Sequence, residues 1–362
     1  MSVVLSGLAL ILSLAIAWQA IPKVLSLGLQ HQWVDRPDAR KVHQGPVVRV
    51  GGMAIALGTA LASLCVLGVG TALHTWDGSL GAWGVLLGAL GFFAVGFADD
   101  LLQLPPLPRL VLQLLFATVA WGLGVRVEYL PIPGMGAIAT GFLSLPITLV
   151  WLAGTANAIN WLDGLDGLAG GVGALSALLL AIVAWQQGDV AATCLALTLM
   201  GATLAFLRFN LPPAKLFMGD GGSYFIGFML AAISAISTMQ IPTFTSALLP
   251  FIVLGVPLCD MTLVMLNRVR KGKSPLYPDR SHLHHRLLDS GCTPLFATGC
   301  IWACSGWVGS WAIALAGTPW GWFVVGGATL PGIVMGYLLI RTANASAAMR
   351  PIPLGLSSGR RP

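Results

Sequence analysis

The chain has 362 residues, of which 56% are hydrophobic and 9% charged, with a formal net charge of +6. Because a typical soluble domain has about 25% charged residues, this composition excludes an ordinary soluble protein and indicates an integral membrane protein. A basic balance can indicate nucleic-acid binding, but in a membrane protein it usually reports orientation, and we predict no nucleic-acid partner.

Eleven apolar runs dominate the chain, and each is about as long as the roughly 20 residues that cross a bilayer. They begin at Val3, Gly51, Gly81, Leu110, Phe142, Leu168, Val190, Gly222, Phe244, Pro294 and Trp320. The first run lacks the basic start and cleavage site of a secretory signal, so we keep it as a membrane helix. The pattern predicts an all-α polytopic membrane protein with about 11 transmembrane helices. Residues 1–341 would form one transmembrane domain, and 342–362 a disordered, basic cytoplasmic tail.

Two segments depart from a simple helix pattern. The stretch "VRVEYLPIPGMG" between the fourth and fifth runs alternates at its start, which favours a short β-hairpin at the outer surface. Pro242, Pro250 and Pro257 flank or enter the ninth run and predict a kinked helix there. The six cysteines are scattered and indicate neither a disulfide nor a metal site.

The basic residues are distributed very unevenly between the two sides of the predicted topology. With the amino terminus outside, 18 of the 19 Lys and Arg fall on one side, and only Arg126 falls on the other. The positive-inside rule then makes the basic side cytoplasmic. Ten of the thirteen acidic residues share that side. Because acidic residues contribute little to topology, their position predicts a functional site at the cytoplasmic face.

The motif "NAINWLDGLDGLAGG" joins the fifth and sixth runs and is rich in amides and carboxylates. An ionised Asp near mid-membrane costs roughly 2.5–3.5 kcal/mol, so the motif either lies outside the hydrocarbon or serves chemistry. Gly164 and Gly167 allow the chain to unwind after Asp163, so that Asp163, Asp166 and Asn160 converge around one ligand. The alternative is a polar helix end with a glycine-rich exit.

Two further acidic motifs lie at the ends of runs. Asp99 and Asp100 in "FADD" repel each other unless solvent, a cation or a proton separates them, which indicates metal or phosphate handling; a solvated helix terminus explains them equally well. In "MGDGGSYF", Asp220 precedes a helix start whose N–H groups can face phosphate oxygens while the carboxylate ligates Mg²⁺. An ordinary capped helix start is the alternative there.

The last motif, "PDRSHLHHRLL", concentrates histidines and arginines in one loop. His282, His284 and His285, together with Arg280, suit the non-bridging oxygens of a pyrophosphate. No further ligand spacing completes a tetrahedral zinc site. A basic loop facing the membrane is the alternative.

In this order, the four motifs resemble the polyprenyl-phosphate N-acetylhexosamine-1-phosphate transferase family. The family's adjacent aspartates match Asp99 and Asp100, its "NxxNxxDGxDGLxxG" matches Asn157 to Gly170, its "GDxGS" matches Gly219 to Ser223, and its "HxHH" matches His282 to His285. The first loop, "VDRPDARKVHQGPVVRVGG", is similar to the UDP-N-acetylglucosamine:undecaprenyl-phosphate branch. The sister branch, phospho-N-acetylmuramoyl-pentapeptide transferase, typically has "GTPTMGG" and "HHH" instead and remains the alternative.

The resemblance implies transfer of sugar 1-phosphate from a UDP-sugar to a polyprenyl phosphate in the cell membrane, with release of UMP. This reaction would start synthesis of an envelope polysaccharide such as lipopolysaccharide or teichoic acid. Mg²⁺, or alternatively Mn²⁺, would bind Asp220 and Asn160. The implied catalytic residues are Asp99, Asp100, Asp163, Asp166, His282, His284 and His285, and the implied substrate-binding residues are Asn157, Asn160, Lys41, His43 and Arg280. A homodimer is compatible with this interpretation.

Two other classes of protein remain as alternatives. A proton-coupled transporter would use intramembrane Asp and His as a relay, but it should place ionisable groups near the midplane, where most of these runs carry none. A lipid-binding scaffold would leave the four motifs without a purpose.

Overall fold

The computed structural model describes residues 1–35, 46–76, 78–274 and 281–348. Within these ranges the protein is a helical bundle. Its helices are α1 Ser2–Gln30, α2 Gly52–Ala72, α3 Leu80–Leu102, α4 Pro106–Gly122, α5 Ser144–Leu162, α6 Leu168–Gln186, α7 Val190–Asn210, α8 Gly219–Ser237, α9 Phe244–Val253, α10 Gly255–Arg270, α11 Leu283–Asp289, α12 Pro294–Leu315 and α13 Gly321–Ala348. Helix α13 therefore continues past residue 341, the domain boundary expected from the sequence.

Each apolar run contains helix, but fewer than eleven helices satisfy the requirements for a span. Among the described residues, seven helices are long and apolar enough to cross a membrane, or eight if the bent pair α9 and α10 is one span. Helix α4 has only 17 residues, which is short for a bilayer core about 30 Å thick. The protein is a multi-pass helical membrane protein, and the count of eleven spans is not confirmed.

The predicted kink in the ninth run is confirmed. Helices α9 and α10 meet at Leu254 and are bent by 73°. Pro257 has no N–H to donate to the carbonyl of Val253, four residues earlier, so the regular hydrogen bonding breaks at this point. The axis of α10 therefore does not continue the axis of α9.

Two short antiparallel strand pairs accompany the helices. Strands β1 Val34–Asp35 and β2 Val47–Val48 pair before α2, and β3 Tyr129–Ile132 pairs with β4 Gly136–Ala139 between α4 and α5. The second pair lies in the segment where the sequence favours a hairpin. Its place at the outer surface stays a prediction.

Helix α8 occupies the centre of the bundle. It is the most buried of the candidate spans and packs against α2, α3, α5, α6 and α7. Its start is held by the segment before α2, since the N–H groups of Gly51 and Gly52 donate to the carbonyls of Phe217 and Met218 at 2.9 and 2.8 Å. A Cβ on Gly52 would lie 2.3 Å from the Cα of Gly222. Glycine at position 52 thus allows α2 and α8 to meet backbone to backbone.

Candidate active site

Three of the four sequence motifs meet at one end of the bundle. Asp99 and Asp100 lie in the last turn of α3, Asn160 in the last turn of α5, and Asp220 in the first turn of α8. Asp99 and Asp100 are 6% and 8% exposed. They are therefore not the solvated helix terminus that the sequence allowed as an alternative.

Asp100 is an anchor for the start of α8. Its Oδ1 accepts the backbone N–H of Asp220 at 3.0 Å, and its Oδ2 accepts that of Gly221 at 3.0 Å. Arg49, which follows β2, donates from Nη2 to Oδ1 at 2.9 Å. A carboxylate that accepts the first N–H groups of a helix also has a favourable interaction with the helix dipole. Asp100 consequently fixes the position of Asp220.

Asp99 faces a different set of partners. Its Oδ2 accepts a short hydrogen bond from Nη1 of Arg109, a residue of α4. The carboxyl group of Asp220 also lies within hydrogen-bonding reach of Asp99. Two adjacent carboxylates repel each other unless a cation or a proton lies between them. Two carboxylates beside one guanidinium leave a net negative charge at the Asp99–Asp220 pair, and this charge attracts a cation.

Asn160 orients the Asp220 carboxylate. Its Nδ2 donates to Oδ1 of Asp220 at 2.9 Å and to Oγ of Ser223 at 3.0 Å. These bonds use only the amide hydrogens, so the Asn160 carbonyl oxygen keeps its capacity as an acceptor or ligand. Asn160 and Asp220 are therefore neighbours, and their joint binding of Mg²⁺ stays a prediction.

Asp163 lies just beyond α5, in the link to α6, and is partly exposed. Removal from bulk solvent, together with the negative charges of Asp220, Asp100 and Asp166, raises the pKa of its carboxyl to about 7. A carboxyl group with this pKa can hold or release a proton near neutral pH. Acidic residues of other motifs thus affect the protonation of Asp163.

Asp166 binds the chain that leads into α8. Its Oδ2 accepts the N–H of Ala214 at 3.0 Å. Next to it, the Gly167 N–H donates to Oδ1 of Asn210 at 3.0 Å, while Asn210 Nδ2 donates to the Leu216 carbonyl at 2.9 Å. The unwinding predicted after Asp163 is present, because α5 ends at Leu162 and α6 begins at Leu168. One carboxylate oxygen of Asp166 thus holds the connection between α7 and α8 in place.

Asn157 faces α4. Its Nδ2 donates to Oε1 of Gln113 at 2.8 Å and to the Ala153 carbonyl at 2.8 Å. Gln113 is buried, one helical turn beyond Arg109. Asn157 therefore ties α5 to the helix that supplies Arg109, and its predicted role in nucleotide binding remains a prediction.

The histidine motif joins the site through α11. His282 donates from Nδ1 to Oδ2 of Asp260 at 2.9 Å, and the Leu283 N–H donates to Oδ1 at 2.8 Å. The ring of His284 lies against the aspartate loop, since a Cβ on Gly164 would lie 2.2 Å from its Nε2. The loop glycine is thus required for contact between the two motifs.

His284 is held in its neutral form. Burial, together with the neighbouring His285 and His282, lowers its pKa to about 4. Its Nδ1 is buried and has no hydrogen-bond partner among the described atoms. A neutral imidazole can give or accept a hydrogen bond but supplies no positive charge. The predicted role of His284 at a pyrophosphate would therefore be that of a hydrogen-bonding group, and it stays a prediction.

Several functional candidates escaped the sequence reasoning. Arg49 and Arg109 entered only the count of charges, and Gln113 and Asp260 were given no role. A usable signal was the polar pair Arg109 and Gln113, four residues apart at the start of the fourth apolar run, since such neighbours share one helix face. Lys41, His43 and Arg280 lie outside the described residues.

The donor set is compatible with Mg²⁺. Among the described residues, no group of three His, Cys, Asp or Glu side chains forms a ready cage for a metal. Mg²⁺ does not require one, because it usually binds one or two carboxylates together with waters and substrate phosphates. The adjacent carboxylates of Asp220 and Asp99, with the amide oxygen of Asn160, meet that requirement.

Comparison with known proteins identifies relatives. Residues 82–238 match the model of glycosyl transferase family 4. The chain is 33% identical over 284 residues to a probable undecaprenyl-phosphate N-acetylglucosaminyl 1-phosphate transferase of Bacillus subtilis, covering 78% of this chain and 77% of the relative. It is 34% identical over 314 residues to a decaprenyl-phosphate N-acetylglucosaminephosphotransferase of Mycolicibacterium smegmatis, covering 81% and 77%.

A third relative is an undecaprenyl-phosphate alpha-N-acetylglucosaminyl 1-phosphate transferase of Haemophilus influenzae, 32% identical over 267 residues and covering 72% of this chain and 73% of the relative. The resemblance inferred from the four motifs is confirmed. The chain belongs to glycosyl transferase family 4, within the polyprenyl-phosphate N-acetylhexosamine-1-phosphate transferases.

Proposed function

We propose that this membrane sugar-phosphate transferase moves N-acetylglucosamine 1-phosphate from UDP-N-acetylglucosamine to undecaprenyl phosphate and releases UMP. The named relatives support the sugar and the polyprenyl acceptor. The UDP donor follows from the family resemblance of the motifs. The lipid product would begin an envelope polysaccharide.

The observation that carries the proposal is that the carboxyl groups of Asp99 and Asp220 lie close together at one end of the bundle, where Asp100 holds the backbone of Asp220. Arg109 and Asn160 are hydrogen-bonded to the two members of this pair. Phosphoryl transfer requires little covalent chemistry from the protein, and depends on positioning and on neutralisation of charge. Carboxylates for a cation, with an adjacent guanidinium, suit that task.

The proposed reaction is a direct displacement at phosphorus. An oxygen of the acceptor phosphate attacks the β-phosphorus of the nucleotide sugar, and the bond from that phosphorus to the bridging oxygen breaks. The bridging oxygen leaves with UMP. A lipid phosphate has a second pKa of about 6, so the attacking oxygen is already largely deprotonated near neutral pH.

Each residue then has a defined task in this proposal. Asp100 and Arg49 fix the start of α8, and Asn160 orients Asp220. Arg109 keeps Asp99 in place and offsets its charge. Mg²⁺, when bound, supplies positive charge for the phosphate oxygens. Of the predicted roles, those of Asp163, Asp166 and the histidines in nucleotide and pyrophosphate binding stay part of the proposal.

The site would face the cytoplasm, where the nucleotide sugar is available. Support comes from the distribution of Lys and Arg along the sequence, with 18 of 19 on the predicted inner side. A polyprenyl acceptor would reach the site from the bilayer. The cell membrane, with this face inward, is therefore the proposed location.

Product analysis in detergent tests the proposal against both alternatives. Purified protein receives undecaprenyl phosphate with either UDP-N-acetylglucosamine or UDP-N-acetylmuramoyl-pentapeptide, and UMP and lipid products are measured. We expect UMP and a lipid-linked N-acetylglucosamine diphosphate from the first donor. Preference for the pentapeptide donor would move the chain to the sister branch. No lipid product from either donor, with solute uptake into proteoliposomes, would favour the transporter.

A further inference from the structure

A polar cavity lies at the end of the bundle opposite the candidate active site. It has a volume of about 690 Å³ and is lined by the outer ends of α2, α3, α4 and α8 and by the α6–α7 connection. Helix α3 has 23 residues, so about 34 Å separates its two ends. The cavity is therefore distinct from the site at Asp99 and Asp100.

Arg126 and Glu128 line this cavity with opposite charges. Val125 and Val127 are fully buried, and the two charged residues alternate with them and are half-buried. Within the described part of the chain, neither Arg126 nor Glu128 forms an ion pair. Half-buried charges that face one cavity without pairing favour a ligand that carries both signs.

The Arg126 guanidinium is held in position from one side. Its Nε donates to the Trp121 carbonyl at 3.1 Å, and its Cζ lies 4.5 Å from the centre of the Trp121 ring. Neither contact neutralises its charge, and the terminal amino groups keep their donor capacity. Arginine can bind two oxygens of one phosphate with this planar group. The pre-oriented guanidinium is thus suited to a phosphate.

The other side of the cavity suits an ammonium group. Glu128 contributes a carboxylate, and Asp189 and the Gln240 side chain also line the space. A primary ammonium donates three hydrogen bonds, whereas a quaternary ammonium donates none. A ligand with a phosphate and a primary ammonium would therefore satisfy both ends of the cavity.

The surroundings place such a ligand at the edge of the bilayer. Leu80 at the cavity wall is 64% exposed. Beyond the α6–α7 connection lies a second, more apolar cavity of about 560 Å³, whose lining includes Leu178, Ile182, Leu197 and Trp320. Apolar side chains of this kind suit acyl chains, and tryptophan is enriched at membrane–water interfaces.

We propose that the polar cavity binds the phosphoethanolamine headgroup of an aminophospholipid, with Arg126 on the phosphate and Glu128 on the ammonium. The site holds a structural lipid in the outer leaflet. It does not depend on the transferase reaction, because it lies at the far end of the spans.

Lipid retention tests the proposal without any activity assay. The protein is reconstituted in nanodiscs with equal amounts of phosphatidylethanolamine, phosphatidylcholine and phosphatidylglycerol, and the lipids that remain after delipidation are counted by native mass spectrometry. We expect severalfold enrichment of phosphatidylethanolamine. Each of Arg126→Gln and Glu128→Gln should reduce it by about tenfold, because a hydrogen bond to a charged group is lost.

Controls separate the site from general effects. Arg270→Gln removes the same charge from an exposed position and should retain the lipid like the unaltered protein. Arg126→Lys keeps the charge and should retain more lipid than Arg126→Gln, and an unchanged Tm in detergent for all variants would show intact folding. Equal retention of the three lipids, or full retention in Arg126→Gln, would overturn the proposal. Binding of soluble phosphoethanolamine without retained lipid would overturn the lipid assignment.

Discussion

The adjacent aspartates Asp99 and Asp100 should respond very differently to the same substitution. Replacing Asp100 by Asn removes the charge that accepts two backbone N–H groups of α8 and the Arg49 guanidinium. An amide offers one acceptor oxygen instead of two, so an NH₂ group would face a buried N–H. Asp99 accepts one bond from Arg109 and lies beside the like charge of Asp220.

The magnitudes follow from these contacts. A hydrogen bond to a charged group contributes about 1.5–3 kcal/mol, and a buried N–H left without a partner costs about 1–3 kcal/mol. Because the Arg49 side chain is 33% exposed, its ion pair with Asp100 contributes little to the free energy of unfolding. We expect Asp100→Asn to lower the free energy of unfolding by about 2–4 kcal/mol. Asp99→Asn should change it by about 1 kcal/mol or less, because removing a like charge offsets the lost bond to Arg109.

Thermal unfolding in detergent and UMP release are measured on both variants. Asp100→Asn should lower the Tm by about 3–5 °C, whereas Asp99→Asn should leave it nearly unchanged and still lose most activity. Equal Tm values for the two variants would refute the anchoring role of Asp100. Full activity in a stable Asp99→Asn protein would refute the catalytic role of Asp99.

Three further predictions concern the histidine motif, helix packing and topology. The pKa of His284 is about 4 in the folded protein, against an ordinary value of 6.5, so the unfolded chain binds more protons between these two pH values. The free energy of unfolding should therefore fall as the pH drops from about 6.5 to 4. Measurements of Tm against pH should show a smaller fall in His284→Gln. Gly52→Ala would place a Cβ 2.3 Å from the backbone of α8, and it should lower the free energy of unfolding by about 1–3 kcal/mol. Gly154→Ala has open space around its Cβ and should not lower it. Equal losses in thermal unfolding of the two variants would contradict the close packing of α2 and α8. In a background without the six native cysteines, a cysteine near Gly134 should react with an external reagent and one near Ser274 should not, and the reverse pattern would invert the proposed orientation.

The sequence predicted which motifs share one site, but it did not predict the contacts between their side chains. Asp99, Asp220 and Asn160 belong to separate motifs that were expected to act together, and they meet at one end of the bundle. The cost of polar groups in a membrane made each motif visible on its own. What their side chains contact depends on packing between distant segments. Asp100 and its α8 partners are about 120 residues apart, so no local pattern indicates the anchor.

Some charged residues have partners that the sequence did not indicate. Arg49 and Arg109 were counted only as evidence for orientation, and they pair with Asp100 and Asp99 in the fold. Asp260 accepts a hydrogen bond from His282. The count of eleven spans is not confirmed, because an apolar run does not fix the length of the helix that it forms. Helix α4 is apolar but only 17 residues long.

The measurement that tests the central claim most directly is the Mg²⁺ dependence of UMP release with UDP-N-acetylglucosamine and undecaprenyl phosphate. Unaltered protein, Asp220→Asn and the exposed control Asp289→Asn are compared in chelator and across a Mg²⁺ titration. We predict no release in chelator, full recovery with Mg²⁺ for the unaltered protein and Asp289→Asn, and loss by orders of magnitude in Asp220→Asn, since Mg²⁺ favours charged oxygen ligands. Full activity in chelator, or in Asp220→Asn, would contradict a cation-dependent transfer at the Asp99–Asp220 pair.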